Sequence, residues 1–272
     1  MRTQAEKVAA FRRLHEGPGA FLVGNVWDAG SAKIVAALGY PALATSSGAS
    51  AGRLGRRDGR VTREEAMAQA LEIVSATSLP VSADLEKGFG DAPADCAETI
   101  RLAWGVGLAG GSIEDATGDK DRPLYELSQA VERVAAAVEA ARKAPEGFVL
   151  TARAEGFLRG KPDLDDVIRR LQAFEEAGAD VLMAPGLPDL ESVRTVCRAL
   201  KKPFNFMGGI RGKSFTVKEL EAAGVRRISV ATSFYRAAMS ALVAAAKEAK
   251  ERGTFTYLDA TMATPELNDY MK

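Results

Sequence analysis

The chain has 272 residues, more than a typical single domain and ordinary for one (β/α)8 barrel. Its 36 basic and 36 acidic residues cancel to a formal net charge of zero, which removes the basic excess a nucleic-acid groove needs, and 47% hydrophobic residues exclude a disordered chain. With two cysteines and one histidine in the whole sequence, a disulfide framework, a His-Asp relay and a three-histidine metal site are all excluded, leaving the chemistry to carboxylates, Arg, Lys, backbone and a metal.

The first stretch, residues 1–17, is charged and amphipathic and reads as an extra N-terminal helix carrying His15. It lacks a signal-peptide core, and no apolar run approaches the roughly 18 to 20 residues that span a bilayer, so a cytoplasmic protein is expected. One pattern then recurs: an Ala-rich amphipathic run, a glycine, and a short apolar run. It appears as AALGYPALAT at 36–45, VGLAGGSIED at 106–115, EAGADVLMA at 176–184 and AAGVRRISVA at 222–231. Glycine just past a helix adopts the left-handed conformation cheaply, and a buried apolar run after it suits a parallel strand covered on both faces. AFLVGN at 20, PVSAD at 80, FVLTAR at 148 and PFNFM at 203 complete eight candidate strands.

Eight strand-helix units in this length predict a (β/α)8 TIM-type barrel forming a single domain over 1–272. Gly105, Gly107 and Gly110 spell GxGxxG but follow a helix and precede a strand, the reverse of a dinucleotide cradle. Cys96 and Cys197 fall on helical segments far apart in sequence. The helix after the eighth strand, from about Thr232 to Arg252, is rich in small apolar residues, so with the tail to 272 it either packs on a partner subunit or covers its own first and eighth strands as an ordinary outer-ring helix.

Catalytic groups of a barrel project from the carboxyl ends of its strands. Strand one ends in Asn25-Val26-Trp27-Asp28. Strand two ends in Thr45-Ser46-Ser47-Gly48, followed by a long loop holding Asp58, and strand three in Asp84-Leu85-Glu86-Lys87-Gly88-Phe89-Gly90-Asp91. Strand four ends in Glu114-Asp115, strand five in Arg153-Ala154-Glu155, and strand seven carries Asn205. Asp84, Glu86 and Glu114, with Asp58 nearby, concentrate negative charge that a hard divalent ion would neutralise, and oxygen ligands suit Mg2+ or Mn2+. Capping of the following helices is the alternative for any one of these carboxylates. A guanidinium ending an apolar strand requires an anion, so Arg153 faces either a substrate carboxylate or an internal partner, Glu155 or Glu114. The Ser46 loop offers hydroxyls and N–H groups for a carboxylate or an oxyanion.

These positions, in this order and spacing from about residue 20 to 235, resemble the isocitrate lyase and phosphoenolpyruvate mutase superfamily. The resemblance implies a barrel whose eighth helix is exchanged between subunits, usually in a tetramer built as a dimer of dimers. It implies Mg2+ at Asp84, with Asp58, Glu86 and Glu114 holding its waters, and a 2-oxo acid as substrate. It assigns substrate contact to Ser46, Ser47, Gly48 and Arg153, to which the strand-end residues Trp27 and Asn205 are added, and catalysis to Arg153, Asp58 and Glu114. The chemistry implied is C–C or C–P bond making or breaking beta to a carbonyl, through an enolate stabilised by the metal.

Departures narrow the choice. The Lys-Lys/Arg-Cys-Gly-His loop of isocitrate and methylisocitrate lyases is replaced by Ala116-Thr117-Gly118-Asp119-Lys120-Asp121-Arg122-Pro123, and the Lys-x-x-x-Lys-Thr-Asn-Ser gate of the C–P enzymes is also missing. The expectation is a Mg2+-dependent lyase or decarboxylase of a small 2-oxo or 2-hydroxy (di)carboxylic acid, with Lys120 and Arg122 available to a second anionic group. A C–P enzyme of the phosphonopyruvate hydrolase or carboxyphosphonoenolpyruvate mutase type and a 2-oxo acid binding barrel without turnover are the alternatives.

Overall fold

The computed structural model describes residues 2–272. Helix α1 (Gln4–Glu16) precedes β1 (Phe21–Asn25), α2 (Ala29–Ala37), β2 (Ala42–Ala44), α3 (Ser47–Arg53), α4 (Arg63–Ala76) and β3 (Val81–Asp84). Then follow α5 (Pro93–Gly105), β4 (Gly110–Glu114), α6 (Leu127–Arg142), β5 (Val149–Arg153), a 3-10 turn (Gly156–Arg159), α7 (Leu164–Glu176), β6 (Val181–Met183) and α8 (Leu190–Ala199). The chain ends with β7 (Phe204–Met207), α9 (Val217–Ala222), β8 (Arg227–Ser229), α10 (Ser233–Arg252), a second 3-10 turn (Thr256–Ala260) and α11 (Thr264–Tyr270). All neighbouring strands pair in parallel, and β1 pairs with both β2 and β8, which closes the barrel.

All eight predicted strands form, four of them where the glycine-punctuated pattern placed them and four on the less regular apolar runs, and the GxGxxG stretch is the joint between α5 and β4, with Gly107 left-handed at φ 92°. One local expectation is corrected. Ser47–Arg53, read as part of a polar loop, is helical, because Ala49, Ser50 and Ala51 bury small side chains against the barrel.

Helix α1 is started by Thr3, whose hydroxyl and Glu6 form a reciprocal capping box. Its buried face, Val8, Phe11 and His15, follows helical spacing, and Val8 and Phe11 join Val23, Ala42, Ala109, Val149 and Val181 in one apolar cluster that closes the amino-terminal end of the barrel. Above that plug the interior turns polar. Arg227 on β8 reaches across to donate from Nη2 to Thr151 Oγ1 (2.9 Å) on β5 and from Nε to Asn205 Oδ1 (2.7 Å) on β7. His15 donates from Nδ1 to the Phe11 carbonyl (2.8 Å), leaving Nε2 to accept from Arg227 Nη1 at 3.4 Å, so hydrogen bonding selects the neutral Nδ1–H tautomer.

Helix α10 ends at Gly253 in the left-handed conformation and has no buried residue along its length, with Leu242 and Val243 59% and 52% exposed. Its first turn packs on the barrel through Phe234 and Tyr235, and α11 returns to it, where Lys33 of α2 donates to the Met271 carbonyl (2.6 Å). Among the described residues, no helix is long and apolar enough to cross a membrane.

Burial, followed by repulsion from Arg227, pushes the His15 pKa down to about 3. The unfolded chain therefore binds a proton that the folded chain refuses, and stability present above the unfolded value near 6.5 is lost as pH falls toward 3. Because this is the sole histidine, its ring protons form a single NMR signal pair, which should show no titration between pH 8 and 5.

Candidate active site

The carboxyl ends of β3, β4 and β5 are neighbours in the sheet, with Asp84 paired in register to Ser112, and Glu114 to Arg153. Because Asp84, Glu114 and Arg153 all face the barrel interior, this register brings them together. Arg153 Nη1 donates to Asp84 Oδ1 (2.8 Å), Nη2 and Nε donate to Glu155 Oε1 (2.7 and 3.0 Å), and Nη2 pairs with Glu114 Oε2 (3.1 Å). The internal pairing weighed from the sequence is thus formed, with Asp84 as a third partner.

Asp84 is further held by the Ser47 amide on Oδ2 (3.0 Å) and the Glu86 amide on Oδ1 (3.2 Å), while its own amide donates to Thr45 Oγ1 (2.9 Å). Burial would raise its pKa, but Arg153 and those two amides outweigh burial and hold it below the usual range. Glu86 lacks such support. Burial, then the charges of Asp84 and Asp58, push it up to about 7. Glu114 is likewise raised, by burial and then by Glu155 and Asp84. Arg153 stays charged because Glu155, Asp84 and Glu114 together overcome its own burial.

Ser46 is buried at the start of α3, and Gly48 lets the neighbouring elements close in. A Cβ on Gly48 would lie 2.6 Å from Thr232 Cγ2 and 3.5 Å from Asp58 Oδ2, so the missing side chain brings the otherwise exposed Asp58 to the rim. A cavity of about 70 Å3 runs down the barrel axis past Ser46, Asp84, Arg153 and Asn205 to Arg227. Asn205 lines it with its amide fully engaged, donating to Ser229 Oγ (3.1 Å) and accepting from Arg227. Trp27 lies outside this cavity, stacked edgewise on Tyr235 of α10 with ring centroids 5.2 Å apart. A larger cleft of about 480 Å3 lies between Arg122, Tyr125, Lys161 and Arg170, lined by the segments after β3, β4 and β5 and sharing no residue with the axial cavity.

The family model of phosphoenolpyruvate phosphomutase matches residues 11–250. The chain belongs to this family. The superfamily resemblance read from the strand ends therefore holds. The chain is 30% identical over 253 residues to 2-methylisocitrate lyase of Escherichia coli (strain K12), covering 89% of this chain and 84% of that protein. It is 31% identical over 255 residues to 2,3-dimethylmalate lyase of Eubacterium barkeri, covering 90% and 86%. A crystal structure from Burkholderia cenocepacia J2315, designated only provisionally as a lyase/mutase, is 48% identical with a TM-score of 0.96, covering 98% of this chain and 96% of that one.

The donor set of this family member fits a hard divalent ion. Asp58, Asp84, Glu86, Glu114 and Glu155 outnumber the guanidiniums that meet them, Arg153 and Arg159, and the buried Glu155 Oε2 has no hydrogen-bond partner. Among the described residues no three carboxylate, His or Cys side chains close into a cage. Two residues of the site were missed from sequence. Arg159, in the 3-10 turn, pairs with Glu114 Oε1 (3.1 Å) and carries no periodic signal. Arg227 did leave one, as a cation inside the apolar run of strand eight.

Replacing Arg153 with Met should leave three carboxylates without their shared cation and destabilise the fold by about 3–5 kcal/mol at pH 8. In that variant their folded pKa values rise above the unfolded ones, so the deficit should shrink as pH falls toward 5. Thermal melts of wild type and variant across that range measure it.

Proposed function

We propose that the protein is a cytoplasmic, Mg2+-dependent lyase or decarboxylase that cleaves a C–C bond of a small 2-oxo or 2-hydroxy (di)carboxylic acid through an enolate. The observation that carries this reading is the convergence of Asp84, Glu86 and Glu114 with Arg153 on adjoining strand tips at the mouth of the axial cavity. The two named lyase relatives support the substrate class, since their names place their substrates among small acids with more than one carboxyl group.

In this reading Asp84 holds the ion, and Glu86, Glu114 and Asp58 hold its waters. When bound, the ion supplies positive charge beside the substrate oxygen on which negative charge develops. The chain does the rest. Arg153 keeps Asp84 and Glu114 in place and presents its charge to the substrate acid, while the Ser46–Gly48 turn offers amides and hydroxyls that orient it. Lys120 and Arg122, exposed on the segment after β4, meet a second anionic group as that segment closes over the cavity and excludes water.

A panel of 2-oxo and 2-hydroxy acids, assayed with and without Mg2+ and including phosphonopyruvate, tests the reading. Pyruvate or CO2 supports it, phosphate or a rearranged phosphonate replaces it with C–P chemistry, and binding without turnover replaces it with a binding barrel. Asp84→Ala should abolish Mg2+ binding in calorimetry, because water-mediated carboxylates alone hold the ion weakly. Unchanged affinity in that variant would remove Asp84 from the metal site.

The bare α10 supports a second part of the proposal, in which residues 232–272 pack on a partner subunit within a dimer of dimers. Light scattering should give an oligomer for the full chain and loss of it, with loss of stability, after truncation at residue 231. A full-length monomer at micromolar concentration would overturn the exchange.

A further inference from the structure

The loop that carries Glu86 is folded against the preferences of its own residues. Glu86 and Phe89 have φ of 49° and 59°, with Gly88 at 85° between them. Left-handed backbone at a non-glycine residue is strained and persists only where the surroundings impose it. Gly88 is suited to the turn, and a Cβ there would meet Cys96 Sγ at 2.9 Å, but Glu86 and Phe89 must be held.

The Glu114 amide holds the Glu86 carbonyl (3.0 Å), Thr99 of α5 and Arg63 of α4 hold the Gly88 carbonyl (2.8 and 3.4 Å), and α6 supplies a further restraint that reaches beyond the turn. Arg133, only 1% exposed, donates from Nη1 to the Asp91 carbonyl and from Nη2 to the Lys87 carbonyl, bridging the turn. Its guanidinium lies over the Tyr125 ring, 4.2 Å from the centroid, and the Tyr125 hydroxyl donates to Asp91 Oδ1. Lys87 Nζ pairs with the same carboxylate and donates to the Thr117 carbonyl (2.8 Å). Thr117 and Tyr125 belong to the gate segment after β4, whose two sides meet in the Ala116–Leu124 bridge. One buried cation therefore grips the Glu86 loop and the gate together.

Arg133 makes no ion pair among the described residues, and its Nε is buried without a partner. A guanidinium buried on these terms is costly, and packing alone would be served better by an apolar side chain. Its planar fork, however, matches two carbonyls and an aromatic face at once, which a Lys ammonium cannot do.

We propose that Arg133 is a positioning residue that couples the gate to the Glu86 loop, so that the seating of the gate and the placement of Glu86 at the barrel mouth change together. The coupling stands on these contacts; its kinetic consequence rests on the lyase reading.

Hydrogen exchange and steady-state kinetics on Arg133→Lys, Arg133→Met and Tyr125→Phe test this, the last removing only a hydroxyl and keeping the core packed. In Arg133→Lys, amides of 86–91 and of 117–125 should exchange roughly tenfold faster together while α5 and α6 stay protected. Tyr125→Phe should loosen the same two segments to a smaller degree. On any acid the wild type turns over, kcat should fall roughly ten- to a hundredfold in Arg133→Met with KM little changed, and partly recover in Arg133→Lys. Faster exchange confined to one segment, or both segments unchanged, overturns the coupling. Loosened segments with wild-type kcat overturn the positioning role. If the wild type turns over none of the acids, the lyase reading fails while exchange still decides the coupling.

Discussion

Arg153 is a buried cation with three carboxylates around it, and the mouth of the barrel is organised by that balance. Removed from water, neither the guanidinium nor the carboxylates are tolerable alone, and each fixes the rotamer of the others. The balance is incomplete. Glu86 and Glu114 retain raised pKa values and Glu155 Oε2, without a hydrogen bond, has only Arg159 Nη2 at 3.7 Å, so the site remains short of positive charge with Arg153 and Arg159 both counted. Residual negative charge at the mouth of a cavity that polar and apolar side chains line together attracts cations.

The opposite end of the barrel poses the reverse problem. Arg227 sits on the axis with Asn205, Thr151 and His15 as partners, all uncharged, and burial pulls its pKa down to about 9. Phe11 and Val8 of the N-terminal helix seal that end from solvent, so the charge is hydrogen-bonded without being neutralised. The barrel axis thus runs from an uncompensated cation at the floor to an excess of carboxylates at the mouth. This polarity separates the chain from barrels whose interior is filled by branched aliphatic layers. It also explains why Asn205 is spent on the floor: both ends of its amide serve side chains of β8.

Between the two ends the strand-end loops are tied to each other more than to solvent. Asp115 accepts the Glu155 amide (2.8 Å) and pairs with Arg170 of α7 (3.3 Å), while Arg133 and Tyr125 join the loops after β3 and β4. Rigid strands beneath and cross-linked loops above hold the site's geometry, and the strained turn at Glu86 is the point at which that geometry is imposed from outside its own segment.

Much of this was legible in the chain itself. The glycine after an Ala-rich run and the short apolar run that follows mark four of the parallel strands, and short apolar runs alone mark the other four, because a strand covered on both faces has no polar side to show. Strand-end position alone singled out Asp84, Glu86, Glu114, Arg153 and the Ser46 turn. Tertiary structure decided what they do to one another. Whether Arg153 meets a ligand or its own neighbours depends on the register of β3, β4 and β5, which places Asp84 and Glu114 beside it although they lie 69 and 39 positions away in sequence. The assignment of Trp27 to Tyr235, the reach of Arg227 across the axis and the grip of Arg133 on a distant loop follow from barrel closure in the same way. Local pattern determines elements because helices and strands bury their faces with periods written in the sequence; it is silent on these pairings because their energy comes from burial and charge that exist only once the elements have met.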